Sequence, residues 1–513
     1  MNIGELLHQT DNIINMGYID NNYYLNNKSN LIKNFILRKK INKSNENFLK
    51  EKIEEEYVIN DIYLDNNQKE AIYSEEVNTL VLAGAGSGKT LTIMGKIKYL
   101  IEEKRINPKE ILCISFTNDT VNNLKDKIKY DIDIFTFHKL ALEIISDYKK
   151  NITIVNNYLD YIIDEIFLSI VNNISEKDLK YFNNTISSFI CLLKNNNYSI
   201  KDLDKIIKKN KSKILEVIRY IYLIYEEELN STNYVDINDI INLAISLINE
   251  KGLKRYYKYI IIDEYQDISE NRFQLVKTIK DSCNTKLFVV GDDYQSIYRF
   301  TGSNMNMITK FKKYFGYTRI VKICNTYRNS NELIKVATKF IMKNKNQIKK
   351  NLLSTKHNNK PIKIIYYTKN EGVKLKRLLL TINDKVMILG RNNFNITNIL
   401  DEELIMKEDK LLFNNKQYDF KTVHKSKGLE EEEIVLLHLT NNYYGFPNKK
   451  KEGINSLLLP KEKYRYEEER RLFYVALTRT KNNIYLFVDK ENPSIFVKEI
   501  IRNSKKYIEV LDL

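Results

Sequence analysis

The sequence predicts an α/β protein built as two parallel-sheet modules, with a helical insertion in the first. Three observations carry that reading. Short apolar runs at 80–82, 111–115, 259–262 and 287–290 each end in a polar turn and alternate with helix-like segments. A second set at 362–367, 385–389, 434–437 and 484–488 repeats the pattern. Between about 150 and 250, the stretches 155–171, 214–228 and 237–248 carry apolar residues three and four apart, the spacing of a helix face.

The turn after the first strand identifies a chemistry. Leu80-Val81-Leu82-Ala83-Gly84-Ala85-Gly86-Ser87-Gly88-Lys89-Thr90 reads as a buried strand, a glycine-rich turn and the start of a helix. Backbone N–H groups of such a turn, with the positive end of the helix dipole, bind phosphate oxygens. Lys89 would reach the β- and γ-phosphates of a nucleotide, and the Thr90 hydroxyl would ligate Mg²⁺. Ala83 stands where the common pattern has glycine. The second module shows no such loop, so the site is expected between the two modules.

The strand 259–262 runs into Asp263 and Glu264. Asp263 suits the Mg²⁺ shell, and Glu264 can orient and deprotonate an attacking water. The next strand leads to Gln295, placed to hydrogen-bond a γ-phosphate, and then to Tyr298 and Phe300. Two residues apart on an extended segment, those rings can face one strand of nucleic acid together.

Bulk composition narrows the classes. A chain of 513 residues with 43% apolar and 29% charged residues has ample core for about three domains. Basic residues outnumber acidic ones by 82 to 66, a net charge of +16. That excess fits a polyanionic partner, and it equally fits a chain rich in Asn, Lys and Ile throughout. Four isolated cysteines and five histidines form no CxxC pair, which suggests neither a disulfide framework nor a zinc ribbon. Cys113 and Cys324, within apolar runs, are expected to be buried. No apolar run approaches ~18 residues and the N-terminus lacks a leader pattern, so a soluble, intracellular protein is expected. Residues 1–60 are polar and helix-leaning, an expected accessory segment.

These segments resemble the motifs of superfamily 1 helicases of the UvrD/Rep type, and Gln295-Ser296-Ile297-Tyr298-Arg299-Phe300-Thr301-Gly302 is similar to the helicase IV branch. The resemblance runs in chain order from Gln68 to Arg479. It implies two RecA-like modules, 61–312 and 313–513. About ninety residues separate Arg328 from Thr422, so the accessory domain of larger members is expected to be reduced or absent.

It also implies roles. Gln68 would read an adenine edge, Tyr327 would stack on adenine, and Glu430 would join the nucleotide site. Arg328 and Arg479 would contact the γ-phosphate, completing a catalytic set with Lys89, Glu264 and Gln295. Phe116, Thr117 and Asn118, then Thr136, Phe137 and His138, resemble segments that track single-stranded DNA. For Phe137 a core position stays equally open. Thr422 and His424 would join Tyr298 and Phe300 on the DNA. Arg470 and Arg471 read as structural, and Thr301 replaces a basic contact found in many members. The implied activity is an ATP- and Mg²⁺-dependent single-stranded DNA translocase and 3′→5′ helicase acting on tailed duplexes. The alternative is a helicase-like ATPase that remodels a protein such as RNA polymerase without unwinding. In that case residues 1–60 or the insertion would bind the partner.

Overall fold

The computed structural model describes residues 18–20, 31–149, 152–170, 173–382, 384–450 and 452–513. Helix α1 (Leu31–Glu54) lies within the stretch read as helix-leaning; residues 1–17 and 21–30 lie outside the described residues. Helix α2 (Asn66–Tyr73) starts at a capping box, in which Asp65 accepts the Gln68 N–H and the Gln68 side chain accepts the Asp65 N–H.

The first sheet then forms by strand–helix alternation. Its elements are β1 (Asn78–Ala83), α3 (Lys89–Glu102), β2 (Ile111–Ser115), α4 (Asn118–Lys127), β3 (Asp133–Thr136) and α5 (Phe137–Ser146). The insertion follows as α6 (Tyr158–Ile170), α7 (Glu176–Asn195), α8 (Ile200–Asn210), α9 (Lys213–Thr232) and α10 (Ile240–Lys251). The chain returns through β4 (Tyr259–Ile262), α11 (Glu270–Cys283), β5 (Lys286–Gly291) and β6 (Arg319–Ile323). All six strands are parallel, in the order β6-β1-β5-β4-β2-β3. The strands β1, β2 and β4 are buried along their whole length, because helices cover both faces of a parallel sheet.

The second sheet uses α12 (Asn331–Ile341), β7 (Ile362–Tyr367), α13 (Glu371–Thr381), β8 (Val386–Gly390), β9 (Ile405–Lys407), β10 (Lys410–Phe413), β11 (Lys416–Thr422), β12 (Glu431–Leu439), α14 (Glu467–Leu477), β13 (Thr480–Asp489), α15 (Ile495–Ser504) and β14 (Ile508–Leu511). Its order is β9-β10-β11-β8-β12-β13-β7-β14, with only the β9-β10-β11 edge antiparallel.

Two differences from the sequence reading have physical causes. Strand β6 pairs in parallel with β1, so the first sheet continues past the expected division at 312. Cys113 is buried as expected, but Cys324 is only partly so, because it lies one residue past the edge strand β6. Among the described residues, no helix is long and apolar enough to cross a membrane.

The modules also meet away from the sheets. Helices α6–α9 bury Phe189, Ile190, Ile218 and Ile221, and Leu458 and Leu459, from the connection between β12 and α14, complete that core. Nearby, Asn455 Nδ2 donates to Ser188 Oγ at 3.0 Å.

Candidate functional site

Between β1 and α3 the chain needs left-handed backbone, and glycine supplies it. Gly86 has φ +68° and Gly88 +76°, the latter capping α3. A Cβ on Gly86 would stand 2.4 Å from the Cβ of Arg328, so the turn presses directly on the second module's approach. Thr326 Oγ1 donates to the Ala85 carbonyl at 2.7 Å, and the Tyr327 N–H donates to the Gly86 carbonyl at 2.9 Å. Ser87 Oγ closes the turn on the Gly84 carbonyl at 2.8 Å. Ala83 ends β1 with its methyl fully buried in the sheet's core, so its side chain takes no part in lining the cleft. Gln68 directs Nε2 at the Ser87 carbonyl, 3.2 Å away, and Tyr327 donates its hydroxyl to Asp65 at 2.7 Å with its ring 47% exposed at the rim.

Opposite the turn stand the two acids. Lys89 Nζ lies 2.8 Å from Glu264 Oε1. Glu264 has φ +49°, a left-handed conformation rare outside glycine, which turns its carboxylate back toward Lys89. Asp263 Oδ1 accepts the Glu264 N–H at 2.8 Å. Burial, then the Glu264 charge, push the Asp263 carboxyl up from its usual range. Glu264 is held low against its own burial by Lys89 and Lys427. The neighbouring acids therefore differ: Glu264 keeps its charge and Asp263 resists carrying one.

The second module supplies the remaining groups. Arg479 is 1% exposed and donates to the carbonyls of Val475 at 3.0 Å and Leu429 at 3.1 Å. Its Nη2 donates to Gln295 Oε1 at 3.0 Å, across the boundary between modules. Burial, then the Arg328 charge, push its guanidinium down to about 9, which leaves it protonated at neutral pH. Arg328 pairs with Glu430 at 2.6 Å and donates to the Thr478 carbonyl at 3.1 Å. Arg470 pairs with Glu499, and Arg471 donates to the Ser296 carbonyl, both structural as expected.

Two lysines that sequence reasoning missed complete the boundary. Lys427 donates to the Gln295 carbonyl at 2.8 Å, bonds Asp267, and stands 3.8 Å from Glu264. Lys350 is fully buried between Asp292 (2.5 Å) and Asp293 (2.6 Å). Lys427 lies between the expected site residues His424 and Glu430, whereas nothing local in the sequence marks Lys350. Together the modules enclose a cleft of about 890 Å³, with Lys89, Thr90, Asp263, Glu264, Arg328 and Arg479 on its walls.

Beside this cleft, three rings gather from both modules. Phe300 is 52% exposed, 6.1 Å from the Tyr298 ring and 5.5 Å from that of His424. The Tyr298 hydroxyl donates to the His424 carbonyl at 3.2 Å. Burial, then Arg391 and Lys427, hold His424 down to about 4, so its imidazole is neutral at physiological pH. Phe137 is a correction: it is 2% exposed, inside the hydrophobic core, with no face free for a base. Phe116 is half-buried, packed on Phe137 at 5.2 Å with the Arg272 guanidinium over its ring at 5.3 Å. Thr117 and Thr136 cap α4 and α5, and Asn118 opens α4 exposed to solvent. His138, in the first turn of α5, is pushed down to about 4 by burial and then Arg272. Thr422 ends β11 two residues before His424.

Comparisons place this arrangement among known proteins. The chain matches the UvrD/REP helicase N-terminal domain over residues 64–316 and the UvrD-like helicase C-terminal domain over residues 373–491. It is similar to DNA helicase IV of Escherichia coli (strain K12), 29% identical over 86% of this chain and 70% of that protein. It is 32% identical to ATP-dependent DNA helicase Rep of Buchnera aphidicola subsp. Baizongia pistaciae (strain Bp), over 64% of this chain and 50% of Rep. With ATP-dependent DNA helicase PcrA of Bacillus subtilis (strain 168) the identity is 31%, over 58% of this chain and 42% of PcrA. The chain thus spans about half the length of these Rep and PcrA relatives.

Proposed function

The chain belongs to the UvrD/Rep helicase family, and from that premise we propose that it is an ATP-dependent DNA helicase that moves 3′→5′ along single-stranded DNA. The observation that carries the reading is the Gln295–Arg479 hydrogen bond, which joins the acid-bearing wall of the cleft to the second module. Groups that sense and neutralise a γ-phosphate are thereby split between two bodies, so hydrolysis depends on how those bodies sit together.

In this reading Lys89 binds the β- and γ-phosphates. Glu264, kept ionised by Lys89 and Lys427, orients water and takes its proton. Arg328 and Arg479 balance the charge that spreads over the γ-phosphoryl oxygens. Gln68 and Tyr327 frame the adenine, and Glu430 positions Arg328. Thr90 and Asp263 offer the oxygen donors that Mg²⁺ prefers. Among the described residues no cluster of three or more His, Cys, Asp or Glu forms a metal cage, which suits an ion shared with phosphate oxygens. When bound, Mg²⁺ neutralises charge on the β- and γ-phosphates. The segment from Gln295 to Phe300 couples the two events: its first residue touches Arg479 and its last faces DNA. Tyr298, Phe300 and His424 take stacked bases, with Thr422 at the same edge and Phe116, Thr117, Asn118, Thr136 and His138 extending the path on the first module.

The test is strand displacement on duplexes with a 3′ tail, a 5′ tail or blunt ends. Release is expected from the 3′-tailed duplex alone. Lys89→Ala is expected to lower DNA-stimulated ATP turnover by roughly a hundredfold or more. Undiminished turnover in that variant would remove the phosphate-loop assignment. Turnover without strand release on any duplex would favour the remodelling ATPase instead.

A further inference from the structure

One carboxylate joins helix α2 to the segment that follows β6. Asp65 caps the helix, its Oδ1 accepting the Gln68 N–H at 2.9 Å. A cap needs only that one oxygen. The other, Oδ2, accepts the Tyr327 hydroxyl at 2.7 Å and Asn325 Nδ2 at 3.2 Å. Two further contacts fix α2 against the same stretch of chain. Glu70 pairs with Arg319 at 2.7 Å, and Asn67 Oδ1 accepts the Cys324 N–H at 3.4 Å.

Tyr327 is thereby held at both ends. Its N–H donates to the Gly86 carbonyl of the phosphate turn, and its hydroxyl donates to Asp65, while the ring between them stays 47% exposed. A hydroxyl donating to a carboxylate at this distance makes a charge-assisted bond, the stronger class of hydrogen bond. Gln68 is fixed from the same residue. Its Oε1 accepts the Asp65 N–H at 2.9 Å, which leaves Nε2 on the Ser87 carbonyl. A Cβ on Gly88 would stand 2.5 Å from that Nε2, so the Gln68 amide lies directly against the phosphate turn. A flat ligand arriving on Tyr327 therefore meets a ring that is already ordered, and binding does not have to supply the entropy of ordering it.

We propose that Asp65 is a positioning residue for the base of the nucleotide: through Oδ2 it sets the Tyr327 ring on which the base stacks, and through Oδ1 it sets the helix that carries Gln68. This rests on the nucleotide reading of the cleft. Lys89 and the glycine turn hold the phosphates, so Asp65 serves the base and leaves the phosphate grip to them. Asparagine at this position would still cap α2. With its oxygen on the Gln68 N–H, however, it would turn an N–H donor toward the donors Tyr327 and Asn325.

The experiment measures steady-state ATP turnover by the full chain with saturating oligothymidylate, and inhibition of that turnover by inorganic tripolyphosphate, which has no base. Asp65→Asn, Tyr327→Phe, the two combined, and Tyr327→Ala are compared with the unaltered protein. Asp65→Asn and Tyr327→Phe are each expected to raise KM for ATP by roughly fivefold or more, with a much smaller change in kcat. The combined variant is expected to lose no more than either alone, because both remove the same bond. Tripolyphosphate is expected to inhibit all four variants as well as it inhibits the unaltered protein. Unchanged KM in Asp65→Asn, while Tyr327→Ala raises it, overturns the positioning role and leaves the stacking on Tyr327 standing. Additive losses in the combined variant, or a matching loss of tripolyphosphate inhibition in Asp65→Asn, overturn it too, since Asp65 would then act apart from Tyr327 or on the phosphate turn. Unchanged KM in Tyr327→Ala, or no ATP turnover by the unaltered protein, overturns the nucleotide reading on which the proposal rests.

Discussion

Gln295 has two amide ends, and both are engaged. Nε2 donates to Asp292 at 2.7 Å, while Oε1 accepts from Arg479 at 3.0 Å. Asp292 is in turn fixed by Lys350 Nζ and by the Tyr294 N–H. The orientation of one amide thus depends on a fully buried ion cluster, and Arg479 reads that orientation. Among the described residues, the guanidinium of Arg479 meets backbone carbonyls apart from Gln295, and no carboxylate neutralises it by direct contact. A buried cation in that condition is costly unless an anion shares the site. Under the proposed function that anion is the γ-phosphate. Arg479→Ala is expected to lower kcat by roughly 10³-fold or more with a much smaller change in ATP affinity. Steady-state turnover and nucleotide binding check this, with thermal melting to confirm folding; a kcat within tenfold of the original would remove Arg479 from the chemistry. Arg479→Lys is expected to rescue little, since an ammonium cannot reproduce the fork that spans Gln295 and two carbonyls.

At the scale of elements, the connection between β12 and α14 joins the modules most plainly. Arg299, between the rings of Tyr298 and Phe300, donates to Glu468 and to the Pro460 carbonyl and bonds Glu452. Beyond that grip, Leu458 and Leu459 are 2% and 6% exposed inside the core of the insertion. Leu458→Ser/Leu459→Ser is expected to cost about 2–5 kcal/mol per side chain, since each truncation leaves a cavity. Thermal unfolding and protease sensitivity of α6–α9 are the readouts; unchanged melting would mean the two leucines do not anchor the insertion. Legibility also differs by element. Helix α7 falls within the expected insertion, with Ile186, Phe189, Ile190 and Leu193 three and four apart behind the cap Ser175. Strand β6 is different: alternating burial marks an edge strand, but nothing in Arg319–Ile323 says which sheet receives it.

For the whole molecule, part of the basic excess lies between the modules. Lys356, Lys421, Lys425, Lys427 and Lys481 all line the cleft between the modules. Under the proposed function, a single strand held beside that cleft by about five phosphate contacts predicts a log–log salt slope near −3.5. Titrating oligonucleotide binding between about 50 and 200 mM salt measures it, and a flat response would confine the lysines to general surface charge.

The sequence by itself determined the pieces whose chemistry lies within a few consecutive residues. The glycine turn before Lys89, the strand ending in Asp263 and Glu264, and the ring-bearing segment after β5 are local backbone events, so composition and spacing reveal them. The tertiary structure decided which of those pieces meet. Gln295 and Arg479 are 184 residues apart, and Lys350 reaches two aspartates from another module. Phe137 turned inward, one of the two positions open to it from the sequence, and Phe300 outward. Such outcomes depend on strand order and on how two modules dock, and no short-range periodicity encodes either.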